Sequence, residues 1–132
     1  MTTEVTLTVE ARNAQADALA RLLDNGSIKV YSGSAPANVD AALSGNTLLA
    51  TCPLSATSAP AAASGSLTFN TITDDSSIDA SGNAAFYRTF KADGTTAVTQ
   101  GTVGTSGESM TLADLALVAG GTLSISSMTH TV

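Results

Sequence analysis

Between residues 4 and 10 the chain reads Glu-Val-Thr-Leu-Thr-Val-Glu, so Val5, Leu7 and Val9 fall on one side and Thr6 and Thr8 on the other. Alternation with period two is the mark of a half-buried strand. Such a terminal segment can pair inside its own sheet or reach onto a partner, with Val5, Leu7 and Val9 as the side chains that would bind it. The period then changes. Ala16, Leu19, Ala20 and Leu23 fall at i, i+3, i+4 and i+7, a narrow apolar stripe with Asp17, Arg21 and Asp24 off it. Asn13 suits an N-cap and Asn25-Gly26 a left-handed stop, so a helix is predicted over about residues 13–24.

From residue 27 onward the pattern is strand and turn. Ile28 and Val30 open a strand that ends near Ser32-Gly33, and residues 34–46, with Pro36 and Gly45-Asn46, read as loop. Thr47 to Thr51 is a short strand halted by Pro53, which has no N–H for a ladder. Residues 55–65 are a run of Ala and Ser that predicts a surface loop. Leu67, Phe69 and Thr71 alternate with polar neighbours, and turn-forming clusters at 74–77 and 81–83 flank Ile78.

In the strand over 84–91, Ala84, Phe86, Arg88 and Phe90 share one face and Ala85, Tyr87, Thr89 and Lys91 the other. Asp93-Gly94 is a hairpin turn into a strand over 95–103. Gly104, Ser106 and Gly107 turn the chain before Met110-Thr111-Leu112, and 115–118 fits a helical turn or a strand. Gly120-Gly121 precedes a closing strand with Leu123, Ile125, Ser127 and Thr129 on one face. About eight strands after one helix predict a mainly β fold, a β-sandwich or jelly-roll-like antiparallel double sheet. Residues 1–10 form its N-terminal strand or arm and 11–132 a single domain. No longer repeat is present, which argues against a solenoid.

Composition narrows the function. More than half of the 132 positions are Ala, Thr, Ser or Gly, only 12% are charged, and Trp is absent. The net charge of −6 argues against a nucleic-acid partner, because phosphate contacts need clustered cations and Arg12, Arg21, Lys29, Arg88 and Lys91 are scattered. No apolar run approaches the roughly 18 residues that span a bilayer. The opening Met1-Thr2-Thr3-Glu4 lacks the basic and apolar regions of a secretory signal. Cys52 is the one cysteine, which fits folding in a reducing cytoplasm.

Candidate chemistry is sparse. The one imidazole, His130, stands three residues from the end, where a solvated side chain on a fraying strand is expected. Cys52 beside Pro53 reads as a buried, inert thiol. Asp74, Asp75 and Asp79 could offer oxygens to Ca²⁺, but an EF-hand register starting at Asp79 puts Phe90 where Glu is required, and turn caps are the simpler reading. One Cys and one His exclude a zinc site. Gly101, Gly104 and Gly107 lack the strand-to-helix context of a dinucleotide loop. Arg88 between Phe86 and Phe90 could form a ligand shelf, but an arginine stem lying over core aromatics is the preferred reading. No catalytic, cofactor or metal residues are assigned.

Gly82-Asn-Ala-Ala-Phe-Tyr-Arg88, Asp93-Gly-Thr95 and Gly101-Thr-Val-Gly-Thr-Ser-Gly107 resemble a group of small virion proteins of tailed bacteriophages and prophages. The Arg12-Asn13 helix followed by Gly26-Ser-Ile-Lys-Val-Tyr-Ser-Gly33 and an Ala-Pro step resembles the same group, so the similarity runs over roughly residues 10–131. The resemblance implies a structural protein of the virion, made in the host cytoplasm. Its role would be capsid cement (decoration) stabilising the head between capsomers, or a tail or neck component such as an adaptor or fibre-attachment protein. It implies the major capsid protein or other virion proteins as partners, a homo-oligomer, and neither nucleic acid nor membrane. It carries no catalytic residues.

Overall fold

A computed structural model of the chain describes residues 7–105, 110–112 and 114–131. It is mainly β with an N-terminal helix, as the pattern predicts. The helix α1 spans Val9–Leu23, starting four residues before the predicted point. Thr8 is the N-cap in place of Asn13: its backbone is extended (φ −67°, ψ 161°) and its Oγ1 accepts from the Ala11 N–H at 3.1 Å. Val9 and Glu10 are therefore helical, which corrects the strand expected over 4–10. An extended cap preceded by one apolar residue imitates alternation over so short a window, and Glu10 in the first turn complements the helix dipole. Val5 lies outside the described residues. At the other end Asn25, at φ +60°, takes the left-handed stop.

Among the described residues nine strands follow: β1 (Ser27–Tyr31), β2 (Leu48–Pro53), β3 (Ser66–Thr68), β4 (Gly82–Asn83), β5 (Phe86–Phe90), β6 (Ala97–Gly104), β7 (Met110–Leu112), β8 (Ala116–Leu117) and β9 (Ile125–Thr131). Seven form one sheet in the order β2-β1-β5-β6-β7-β9-β3, and β4 pairs with β8 in a second, small sheet. All pairings are antiparallel except β6 with β7, which meet in parallel at Val103 and Gly104; this departs from a wholly antiparallel sheet. Residues 115–118, open between turn and strand in sequence, hold β8.

The outer edge of β2 is closed by a segment that is not itself a strand. Leu49 O accepts from Asp79 N, Thr51 N donates to Asp75 Oδ2, and Pro53 O accepts from Thr73 N. Residues 49, 51 and 53 are the alternate positions that face away from β1, so segment 73–79 satisfies that edge with one side chain and two amides. Asp75 also exchanges both backbone bonds with Leu123, tying this margin to the chain entering β9. Residues from both ends of the strand order thus share one core: Ile28, Val30, Leu49 and Cys52 with Met110, Leu112, Leu123 and Met128.

Two sequence expectations change here. The Ala/Ser run at 55–65 is not simply surface loop, because Ser58 and Ala59 are buried against the helix. Small side chains let the backbone approach the Ala16–Ala20 stripe, and with Leu67 they form a second, minor core. On β9 a register shift at Thr111/Leu112 breaks the predicted single face, so Leu123 and Met128 are both buried and Thr129 is exposed.

The β5–β6 hairpin turns at Asp93-Gly94 as predicted, with Gly94 at φ +74°. The Asp93 carboxylate accepts from Thr96 Oγ1 (2.6 Å), Thr96 N (2.9 Å) and Thr95 N (2.8 Å), and these bonds, the Thr96 hydroxyl first, hold its pKa down to about 2. A folded-state pKa below the ordinary value of about 3.9 means the turn's stabilisation is complete above that pH and lost as pH falls through the folded value. Carboxyl ¹³C titration by NMR is expected to give Asp93 a midpoint near 2. A midpoint at the ordinary Asp value would show that the turn is not capped.

Candidate interaction surface

The face of β1, β5 and β6 that points away from the main core carries an aromatic layer. Tyr31 and Phe86 are opposite in register and stack at 5.3 Å, 17° apart. Lys29 Nζ lies 4.7 Å from the Phe90 ring centroid and donates to Gly94 O. Between them sits Arg88, only 6% exposed. Its Nε donates to Gln100 Oε1 at 2.8 Å, and its Nη2 donates to Ala41 O at 2.7 Å and Asn38 O at 3.3 Å. Gln100 Nε2 in turn donates to Pro36 O at 2.9 Å. Asn46 closes the loop's ends, its Nδ2 donating to Ser32 O and Ser34 O.

Loop 34–46 is therefore strapped over the aromatic layer by one buried cation and two amides. Arg88 is more than a stem covering core aromatics, because the loop covers it in turn. A ligand shelf does not form: the guanidinium and the Gln100 amide are engaged by loop carbonyls. Gln100 was not singled out in the sequence, although the hairpin register sets its amide opposite Arg88.

A second set of side chains clamps the Ala/Ser run along α1. Asn13 Oδ1 accepts from Gly65 N, Asp17 Oδ1 from Ala62 N, and Asp24 Oδ1 from Ser58 N, while Ser58 Oγ donates to Ala20 O and Arg21 Nη2 to Ala59 O. Asn13, expected as a cap, thus serves as one rung of this ladder. The Ser58 amide, followed by ion pairing with Arg21, lowers the Asp24 pKa.

The residues considered for reactivity lie on different elements. Cys52 has no exposed surface, and burial pushes its thiol up to about 11. A thiolate is the reactive form. Ellman's reagent is therefore expected to leave the folded protein unmodified and to label one thiol per chain after denaturation; rapid labelling without denaturant would contradict the burial. His130 is not a frayed, solvated group: it lies half-buried in β9, opposite Leu67, and burial lowers its pKa. Four strands separate it in sheet order from Cys52 on β2. Asp75 bonds Thr51 N and Ser77 N, as a turn cap does.

Of the three side chains assigned to a partner, the structure describes two. Leu7 is 42% exposed and Val9 49% exposed, on either side in sequence of the Thr8 cap of α1. Leu22, Leu43 and Val118 are the other large apolar residues with substantial exposure among those described. An open cleft of about 460 Å³ adjoins Val118, lined also by Ile78, Leu117 and Leu123. The chain matches no family model, no curated protein and no solved structure.

Proposed function

We propose that the protein is a structural component of a tailed-phage virion, a capsid cement (decoration) subunit that docks noncovalently between capsomers. One observation carries this reading. Six polar side chains that could do chemistry serve the fold's own backbone: Arg88 and Gln100 strap loop 34–46, Asp17, Arg21 and Asp24 clamp residues 58–62, and Asp75 closes β2. What remains for a partner is shape, with exposed Leu7 and Val9 as apolar contacts. The net charge of −6 suits a protein that must not adhere to packaged DNA. Its partners on this reading are the major capsid protein and further copies of itself, assembled after synthesis in the host cytoplasm.

A cement subunit fills every equivalent lattice site, whereas a tail or neck component fills a single ring. Gel densitometry of purified particles is expected to show a band comparable to the major capsid protein; a band that is a small fraction of it would favour the tail or neck. The double variant Leu7→Ser/Val9→Ser is expected to fold normally and bind particles at least about tenfold more weakly, equivalent to ~1.4 kcal/mol. Truncations should stop before Thr8, since removing that cap alone costs about 1 kcal/mol.

A further inference from the structure

We propose that the outer side of α1 packs against the same side of a second copy of this chain, the two helices antiparallel about a two-fold axis between Ala14 and Gln15. At about 3.6 residues per turn, Ala11, Ala14, Ala18 and Leu22 fall at i, i+3, i+7 and i+11, one line along the helix. The buried Ala16, Ala20 and Leu23 lie on the opposite side. Ala14 and Ala18 are exposed, Ala11 is half-buried and Leu22 is 47% exposed; Leu7, also exposed, continues the line just before the cap. An ordinary surface helix carries its polar residues on the side away from the core. Here Asn13, Asp17, Arg21 and Asp24 run along one flank instead, where they hold backbone groups of residues 58–65. The helix is therefore apolar both toward the core and directly away from it, the pattern of a helix that is covered on two sides.

Charge selects the occupant and its direction. Glu10 stands exposed near one end of that same flank, and Arg21, its side chain 52% exposed, near the other. A two-fold axis across antiparallel helices sets matching flanks side by side, so Glu10 of each copy comes opposite Arg21 of the second at both ends of the seam. A parallel pair would set Glu10 against Glu10 and Arg21 against Arg21, and like charges so placed are unfavourable. The same axis brings Ala11 opposite Ala18 and Leu7 opposite Leu22, so small residues meet at the crossing and large apolar ones close its ends. Such a contact is self-complementary, as two-fold interfaces require. Alanine at the crossing lets the helix axes approach to about 8 Å, the short end of helix spacings. The two ion pairs also oppose the repulsion between chains that each carry a net charge of −6.

The test uses the full chain without particles. Sedimentation velocity over a range of concentrations is expected to show a monomer–dimer equilibrium. Ala18 is exposed and outside both core clusters, so Ala18→Glu charges the seam alone; it is expected to raise the dimer dissociation constant at least about tenfold with an unchanged circular dichroism spectrum. Because Cys52 is buried, a cysteine introduced on the helix reports by itself. Ala14→Cys, beside the axis, is expected to form an interchain disulfide under mild oxidation. Leu22→Cys, at an exposed position too, is expected to form none, because an antiparallel seam holds its two copies roughly 22 Å apart along the helices, beyond the reach of a disulfide. A monomer at every concentration overturns the proposal, as does a dimer that Ala18→Glu leaves intact or that cross-links through Leu22→Cys in place of Ala14→Cys. The particle reading fails separately: a monomer that binds heads overturns the pairing alone, and a dimer missing from particles overturns the cement role alone.

Discussion

Replacing Gly26 by alanine is expected to destabilise the fold by about 4 kcal/mol. A Cβ at that position would stand 2.1 Å from the Phe90 carbonyl oxygen and 2.9 Å from that of Leu23. Both are backbone atoms and neither can swing away. Phe90 is the register partner of Ser27, so relieving the clash means prising β5 from β1 where the central ladder begins. Gly26 is fixed from its other side too, its N–H donating to Leu23 O and its carbonyl accepting from Leu54 N. Overpacking that displaces only side chains costs about 1–3 kcal/mol, and a backbone clash should exceed it, at about 4 kcal/mol. That is a large share of the 5–15 kcal/mol typical of a domain. Gly45→Ala provides the contrast: open space surrounds its Cβ and only φ +71° opposes it, so about 1 kcal/mol is expected. Urea unfolding followed by circular dichroism measures both, and near-equal midpoints would refute the close-approach account.

Arg88→Ala is the second large effect, expected at about 3 kcal/mol. The substitution strips a donor from Gln100 Oε1, Asn38 O and Ala41 O together, and hydrogen bonds to a charged group are each worth about 1.5–3 kcal/mol, not fully additive. It also uncovers the stacked Tyr31–Phe86 pair beside it. Arg88→Lys should recover only a small part, because one ammonium cannot address Gln100 and two loop carbonyls in the guanidinium's planar geometry. The distinguishing readout is local. Hydrogen exchange and limited proteolysis should speed up within residues 34–46 before global unfolding in both variants. If stability falls while the loop keeps its protection, Arg88 acts through packing alone.

How much of this was readable in the sequence depends on the range of the interaction. The β5–β6 hairpin was legible because Asp93-Gly94 sets the turn and alternation sets the faces, both within a few residues. The helix was legible from its stripe, but its start was not. Thr8 and Asn13 are both competent caps, and only the chain's continuation outside the helix decides between them. Asn25-Gly26 was read correctly as a stop for an incomplete reason: Asn25 takes the left-handed backbone, while Gly26 is needed for its closeness to Phe90, a residue far along the chain.

The largest miss was the Ala/Ser run at 55–65. Low complexity suggests solvent, yet Asn13, Asp17, Arg21 and Asp24, which looked like an ordinary polar helix face, fix it in place. The same limit applies to the surface. Leu7 and Val9 were legible as apolar residues awaiting cover, whereas β7 meets β6 in parallel at Val103 and Gly104. No local pattern announces that.

The closed margin at β2 also bears on how the protein behaves when concentrated. Fibre growth by strand addition requires a template at each end of the growing sheet, so that every arrival offers a fresh docking rung. Here Asp75 and its neighbours act as a terminator at β2. Concentrated protein should therefore give no thioflavin-positive filaments.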